Sequence, residues 1–390
     1  MLVIKTAFKN ILGAGKRTWL NVAVLSFTFV VLIMFDGLMD GWFYNAQRDT
    51  QAWETGAGQF WHPQYDRLDI FTLQDAHGET PGELQPYMEE GTLTPILVTQ
   101  GVIYPQGRMQ NVLLRGIDPQ QQILSIPSEL LENEEEEITA IIGKRMAKAA
   151  NLHTDDRVMM RWRDKNGAFD AREIRIAAVF NSKVFGVDDG QIWLKISDLQ
   201  QLTSLSGEAT YFVKSAECPL QTNTDGWIYK NLKFLLSDLD AMRQAGKAES
   251  MITYIILLSI ALLAVFDTQT LSIFRRQKEI GTYIALGMTP RQVMKLFTLE
   301  GTNYSLLAII AAAIWGSPFF WLLAKYGYKM PSMVDEMGAA IGDYLYPVYQ
   351  FSTVMTSIII IVLLSALISY LPTRKIAKQS VVSALKGKIE

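Results

Sequence analysis

The sequence predicts a membrane protein in which four transmembrane α-helices carry a large α+β extracytoplasmic domain inserted between helices 1 and 2. Three observations lead there. The AVILMFWYC fraction is 49% before glycine is counted, whereas soluble domains reach about 45–50% with glycine included. Four stretches come close to the roughly 20 apolar residues that a bilayer core requires. They run from Trp19 to Phe35, Met251 to Phe274, Asn303 to Leu323 and Phe351 to Leu371. Between the first two lies a long segment whose patterns alternate between strand and helix, enough chain for one large or two small domains.

In chain order, residues 1–18 predict a cytosolic amphipathic helix on the inner leaflet, because Ile4, Phe8 and Ile11 recur at helical spacing beside Lys5 and Lys9. The first span follows within 19–40. Its basic lead-in, with Lys16 and Arg17, has the look of a signal peptide, but the exit Phe35-Asp36-Gly37-Leu38-Met39-Asp40 offers no small-residue cleavage site. The helix is expected to remain.

Within 41–250, Ala140 to Ile142 reads as a strand entering a helix over Lys144 to Asn151. Arg157 to Trp162 and Arg172 to Phe180 flank Asp164-Lys165-Asn166-Gly167, the chemistry of a tight hairpin turn. Gln191 to Ile196 reads as a strand. Ser197 with Gln200 gives a capping-box pattern for a helix through Leu205. From Trp227 to Met242, apolar residues keep spacings of three and four, which predicts a helical stalk continuous with the second span and broken at most near Gly246. The acidic run Glu132 to Glu137, interrupted by Asn133, reads as a solvated loop.

The remaining elements are the second span (251–274), a loop (275–301), the third span (302–325), a short outer loop (326–350), the fourth span (351–371) and a tail (372–390). Orientation follows from Lys and Arg near the spans. Basic residues crowd the N-terminus, the loop with Arg275, Arg276, Lys278, Arg291 and Lys295, and the tail with Arg374, Lys375, Lys378, Lys386 and Lys388. These belong in the cytosol. The stretch with Asp335, Glu336 and Asp343 fits outside, so both termini are expected to be cytosolic at the inner (plasma) membrane.

Several functions are disfavoured. The net charge of −3 provides no basic field for nucleic acid. A single cysteine, Cys218, excludes an intramolecular disulfide, and three scattered histidines argue against a metal site. Gly13-Ala14-Gly15-Lys16-Arg17-Thr18 fails as a phosphate-binding loop, because Arg17 stands at the Ser/Thr position and Asn10 at the first glycine. No local catalytic motif is evident, so no enzymatic activity and no cofactor are assigned to this chain.

The loop from Phe274 to Gly301 is the most informative segment. It reads as a helix leaving the second span, a break at Gly287 and a new helix capped by Thr289 with Pro290 at its first position. Ile280, Ile284, Val293, Leu296 and Phe297 give it an apolar side of a kind that docks into a groove on another protein. Asp267 lies eight residues before Arg275, roughly 12 Å inside the helix end at about 1.5 Å per residue. It faces a partner span or a wet cavity, or else the helix leaves the membrane near Phe266.

Arg-Gln-Lys-Glu-Ile-Gly (276–281), Ala285-Leu286-Gly287 and Leu299-Glu300-Gly301 resemble the signature of the FtsX/MacB/Lol superfamily of ABC transporter permeases. The tail from Leu371 to Lys386 resembles that family's closing pattern, departing from it at Gln379-Ser380. Leu114-Arg-Gly-Ile-Asp-Pro119, Ile142-Gly-Lys-Arg-Met-Ala147 and Val179-Phe180 are similar to its extracytoplasmic core.

The resemblance implies a second permease copy or homologue, and a separate ABC ATPase holding ATP and magnesium. It places ATPase coupling around Glu279, Ile280, Gly281, Gly287 and Pro290, and implies mechanotransmission to the outer domain. The large outer domain points to the lipoprotein-releasing branch, with a lipoprotein carrier as a further partner; a peptide or drug efflux permease and a regulator of a cell-wall hydrolase are the alternatives. For a lipidated cargo, an apolar cavity is expected near Val30, Ile33, Met34, Ile252, Ile255 and Ile256, since each buried CH₂ contributes roughly 0.8 kcal/mol.

Overall fold

A computed structural model describes residues 16–132, 137–329 and 344–374. The amphipathic helix expected at the N-terminus, most of the acidic run, Asp335, Glu336 and Asp343, and the tail pattern beyond Arg374 lie outside the described residues. Among the described residues, four helices are long and apolar enough to cross a membrane: Trp19–Thr55, Ser237–Arg275, Pro290–Tyr326 and Phe351–Thr373. The chain divides into two compact units. One gathers the apolar parts of these helices, and the other is the inserted unit Phe43–Met242.

In the helical unit the apolar residues sort by helix face. Phe29, Val30, Leu32 and Ile33 of the first helix pack with Leu258, Leu262, Ala312 and Ile361. One end is tied by an ion pair between Asp40 and Arg243 at 3.1 Å. The helix Ser237–Arg275 runs through Gly246 without a break, but it begins ten residues later than the apolar spacing suggests. Ile228–Asn231 is a strand instead, and Asn231 then caps the short helix Leu232–Leu235 by accepting from the Phe234 amide. Cross-strand pairing with Gly58–Trp61 overrides the local helical period.

The inserted unit is built on β1 (Gly58–Trp61), β2 (Gly78–Glu79), β3 (Leu93–Ile103), β4 (Gln110–Ile117), β5 (Thr139–Gly143), β6 (Arg157–Arg163), β7 (Phe169–Phe180), β8 (Gln191–Lys195), β9 (Glu208–Ala209), β10 (Tyr211–Lys214) and β11 (Ile228–Asn231). The main sheet runs β11-β1-β10-β3-β4-β8-β5-β7-β6, and β6 pairs back onto β3. Six strands therefore close into a barrel, with β10, β1 and β11 extending one side. Strand alternation fills the interior: Val158, Met160 and Trp162 of β6 point inward with Ile174 and Ile176 of β7, while Arg157, Met159, Arg161 and Arg163 stay exposed. A second apolar cluster around Trp61, Ile96, Ile141 and Trp193 covers another face.

Two local readings need correction. The β6–β7 turn is longer than a two-residue hairpin: Asp164 and Ala168 close it, and Gly167 takes a φ of 85°. This lets β7 start at Phe169. Ser197 does not cap its helix, which begins at Ile196 directly from the strand and ends at Thr203, with Ser204 in the left-handed region. The Ser197 hydroxyl hydrogen-bonds Asp198 instead.

Candidate functional site

The helix Ser237–Arg275 ends at a one-residue kink, Arg276, and the chain continues as the short helix Gln277–Ala285. That helix closes at Gly287, whose φ of 97° is one that a side chain would strain. Met288 and Gly287 donate back to Tyr283 and Ile284. Thr289 then starts the helix Pro290–Tyr326 with a complete capping box: its hydroxyl accepts from the Gln292 amide and the Gln292 side chain accepts from the Thr289 amide. Pro290 sits where its missing N–H costs nothing.

The apolar side of this helical hairpin is consumed within the chain. Ile280 is fully buried with Ile273, Val293 and Phe297, and Tyr283, Ile284, Met288 and Met294 pack around them. Gly281 is buried as well. What faces outward is Lys278, Glu279, Thr282, Ala285 and Leu286, and Leu286 is 78% exposed at the turn. Of the residues expected to couple, Glu279 and Gly287 are at the surface, Pro290 is half-buried, and Ile280 and Gly281 form the hairpin's own core. Substituting Gly281 therefore perturbs packing inside the hairpin, whereas Glu279 and Leu286 can be changed without disturbing that packing.

An ion-pair clamp fixes the hairpin's angle. One guanidinium nitrogen of Arg276 lies 2.9 Å from both carboxylate oxygens of Glu300, and Nε lies 2.7 Å from Glu279. The guanidinium also sits 4.9 Å from the centre of the Phe297 ring. Glu300 is 2% exposed. Arg276 is held above its usual range: burial opposes the charge, and the carboxylates of Glu300 and Glu279 outweigh it. The sequence reading missed this clamp, although Arg276 and Glu300 both lie inside the motifs it singled out.

Next to Glu300, Gly301 is a site of close approach between helices. A β-carbon there would lie 2.2 Å from Ser369 Oγ and 2.7 Å from Gln269 Nε2. Polar groups gather at this level: Thr268 donates to Asn21 at 3.1 Å, and Thr298 and Thr373 hydroxyls meet at 3.2 Å. The bundle is thus cross-linked by small and polar residues directly beside the hairpin.

The residues expected to line a cargo cavity are not brought together in one chain. Val30 and Ile33 are buried inside the bundle and Met34 is half-buried, whereas Ile252, Ile255 and Ile256 lie on an exposed face of the second helix. Asp267 is exposed on that helix too.

Four span-length helices, an inserted sheet-rich unit and a clamped hairpin between the second and third helices form the architecture of a membrane-embedded protein. Residues 251–381 match the FtsX-like permease C-terminal domain, a third of the chain that includes the hairpin. The match supports an ABC transporter permease subunit of the FtsX/MacB/Lol superfamily, a family that generally works with an ABC ATPase partner. No curated protein matches the chain.

Proposed function

We propose that the chain is the permease subunit of an ABC transporter in which a separate ATPase docks on the hairpin surface formed by Glu279, Thr282 and Leu286. The observation that carries this is the exposed Leu286 on a hairpin that the Arg276–Glu300 clamp fixes to the bundle. A knob on a flexible loop would absorb the ATPase's motion. A knob whose base is packed and ion-paired passes displacement into the second and third helices.

In this reading the hairpin and both termini are cytosolic and the inserted unit lies outside the inner membrane. The helix Ser237–Arg275 contributes to both compact units, and that continuity is what mechanotransmission requires. Two copies, identical or homologous, would set the exposed face with Ile252, Ile255 and Ile256 against a second bundle, giving a lipidated cargo an apolar entry that a single chain lacks. Asp267 on the same helix would then find a partner span or a wet interface.

The cargo assignment is tested by reconstituting the permease in proteoliposomes with its co-purifying ATPase. ATP-dependent release of a triacylated lipoprotein to a soluble lipoprotein carrier is expected. Equal release of the non-acylated form would exclude lipoprotein release and favour peptide efflux.

A further inference from the structure

The barrel carries a surface groove of about 660 Å³ over the seam where β3 meets β6. That volume lies within the range of small-molecule sites, about 300–1,000 Å³. Outward residues of adjoining strands form its floor, among them Val102 of β3 and Leu113 of β4. Phe71, Met109 and Phe169 stand around it, 80%, 67% and 64% exposed. Exposed aromatic and thioether groups concentrated around one concavity are the mark of a binding surface rather than of scattered surface apolars.

The charge at the groove is one-sided. Arg161 and Arg163 line it, and no carboxylate does. The Arg161 guanidinium lies 4.4 Å from the centre of the Phe169 ring. Arg163 meets only neutral oxygens, Gln74 Oε1 and the Gly167 carbonyl, both at 3.3 Å. Neither arginine forms an ion pair among the described residues. Two cations without counter-charges at an apolar groove select an occupant that has both an apolar body and an anionic head.

The backbone beneath the groove favours a small amphiphile over a peptide. Here β4 pairs with β3, β3 with β6 and β6 with β7, so no free strand edge is offered along the floor for β-augmentation. Recognition falls to side chains. We propose that this groove binds a single-chain anionic amphiphile of the fatty-acid type, with the tail along Val102, Leu113 and Phe169 and the carboxylate on Arg161 and Arg163. The inference does not depend on the transport reading, because it concerns the inserted unit alone.

The test uses the full chain in phosphatidylcholine nanodiscs with a diazirine-bearing palmitic acid, followed by mass-spectrometric mapping. Labelling is expected on peptides containing Val102, Met109 or Phe169, displaced by unlabelled palmitate and not by hexadecanol. The double variant Arg161→Gln/Arg163→Gln should lower it at least tenfold, because both charge-assisted contacts to the carboxylate are lost. Both side chains are exposed, so the melting temperature should hold. Labelling confined to the four long helices would overturn the proposal, as would equal competition by hexadecanol in the unmodified chain. Displacement by an acidic, apolar peptide but not by palmitate would assign the groove to a protein partner instead.

Discussion

Replacing Arg276 by methionine is expected to destabilise the helical unit by about 3–5 kcal/mol, the usual cost of breaking a buried ion pair by removing one partner. The reason is local. Glu300 is 2% exposed, and the substitution removes the guanidinium that meets both of its oxygens. Removing both charges has a different cost. In Arg276→Met/Glu300→Leu the desolvation penalty disappears with the charges, so most of the stability should return. Thermal unfolding of the two single variants and the double variant in detergent measures this as a coupling energy. Additive losses would show that the two side chains do not act as a clamp.

Gly301→Ala should cost about 1–3 kcal/mol through overpacking. The added β-carbon would meet Ser369 Oγ at 2.2 Å and Ser369 Cβ at 2.6 Å, so the third and fourth long helices must move apart. Gln269 can swing its amide away, but the Ser369 β-carbon is fixed to its helix. The compensating change is therefore Ser369→Gly, which makes room at the same contact. A melting temperature that falls in Gly301→Ala and recovers in Gly301→Ala/Ser369→Gly is the expected result. No recovery in the double variant would place the strain elsewhere.

Much of the helical unit was legible because its signals are local. Stretches of about twenty predominantly apolar residues, a glycine after the short helix and Thr-Pro before the next one can each be read without any distant contact. The barrel was not legible as a barrel, since closure rests on Gly101–Ile103 pairing with Met160–Trp162 across some sixty residues of chain. Ile228 to Asn231 shows the same limit from the other side: a helical period is present, and a distant strand overrides it. In the hairpin, the apolar period was legible and the side it packs against was not. Ile280 looks like a docking residue until Ile273, Val293 and Phe297 close around it. Leu286 carried no apolar pattern of its own, and the Arg276–Glu300 clamp joins two motif positions 24 residues apart.

If an ABC ATPase docks on this hairpin, its tip lies in contact with the ATPase. A photoreactive p-benzoylphenylalanine at position 286, introduced in cells and activated in intact membranes, tests it most directly, with position 255 on the exposed face of the second helix as the comparison. A crosslink is expected from position 286, and none from 255, to a protein bearing a Gly-x-x-x-x-Gly-Lys-Ser/Thr phosphate-binding loop. Crosslinking from 286 to lipid alone, or to a protein without such a loop, would contradict it.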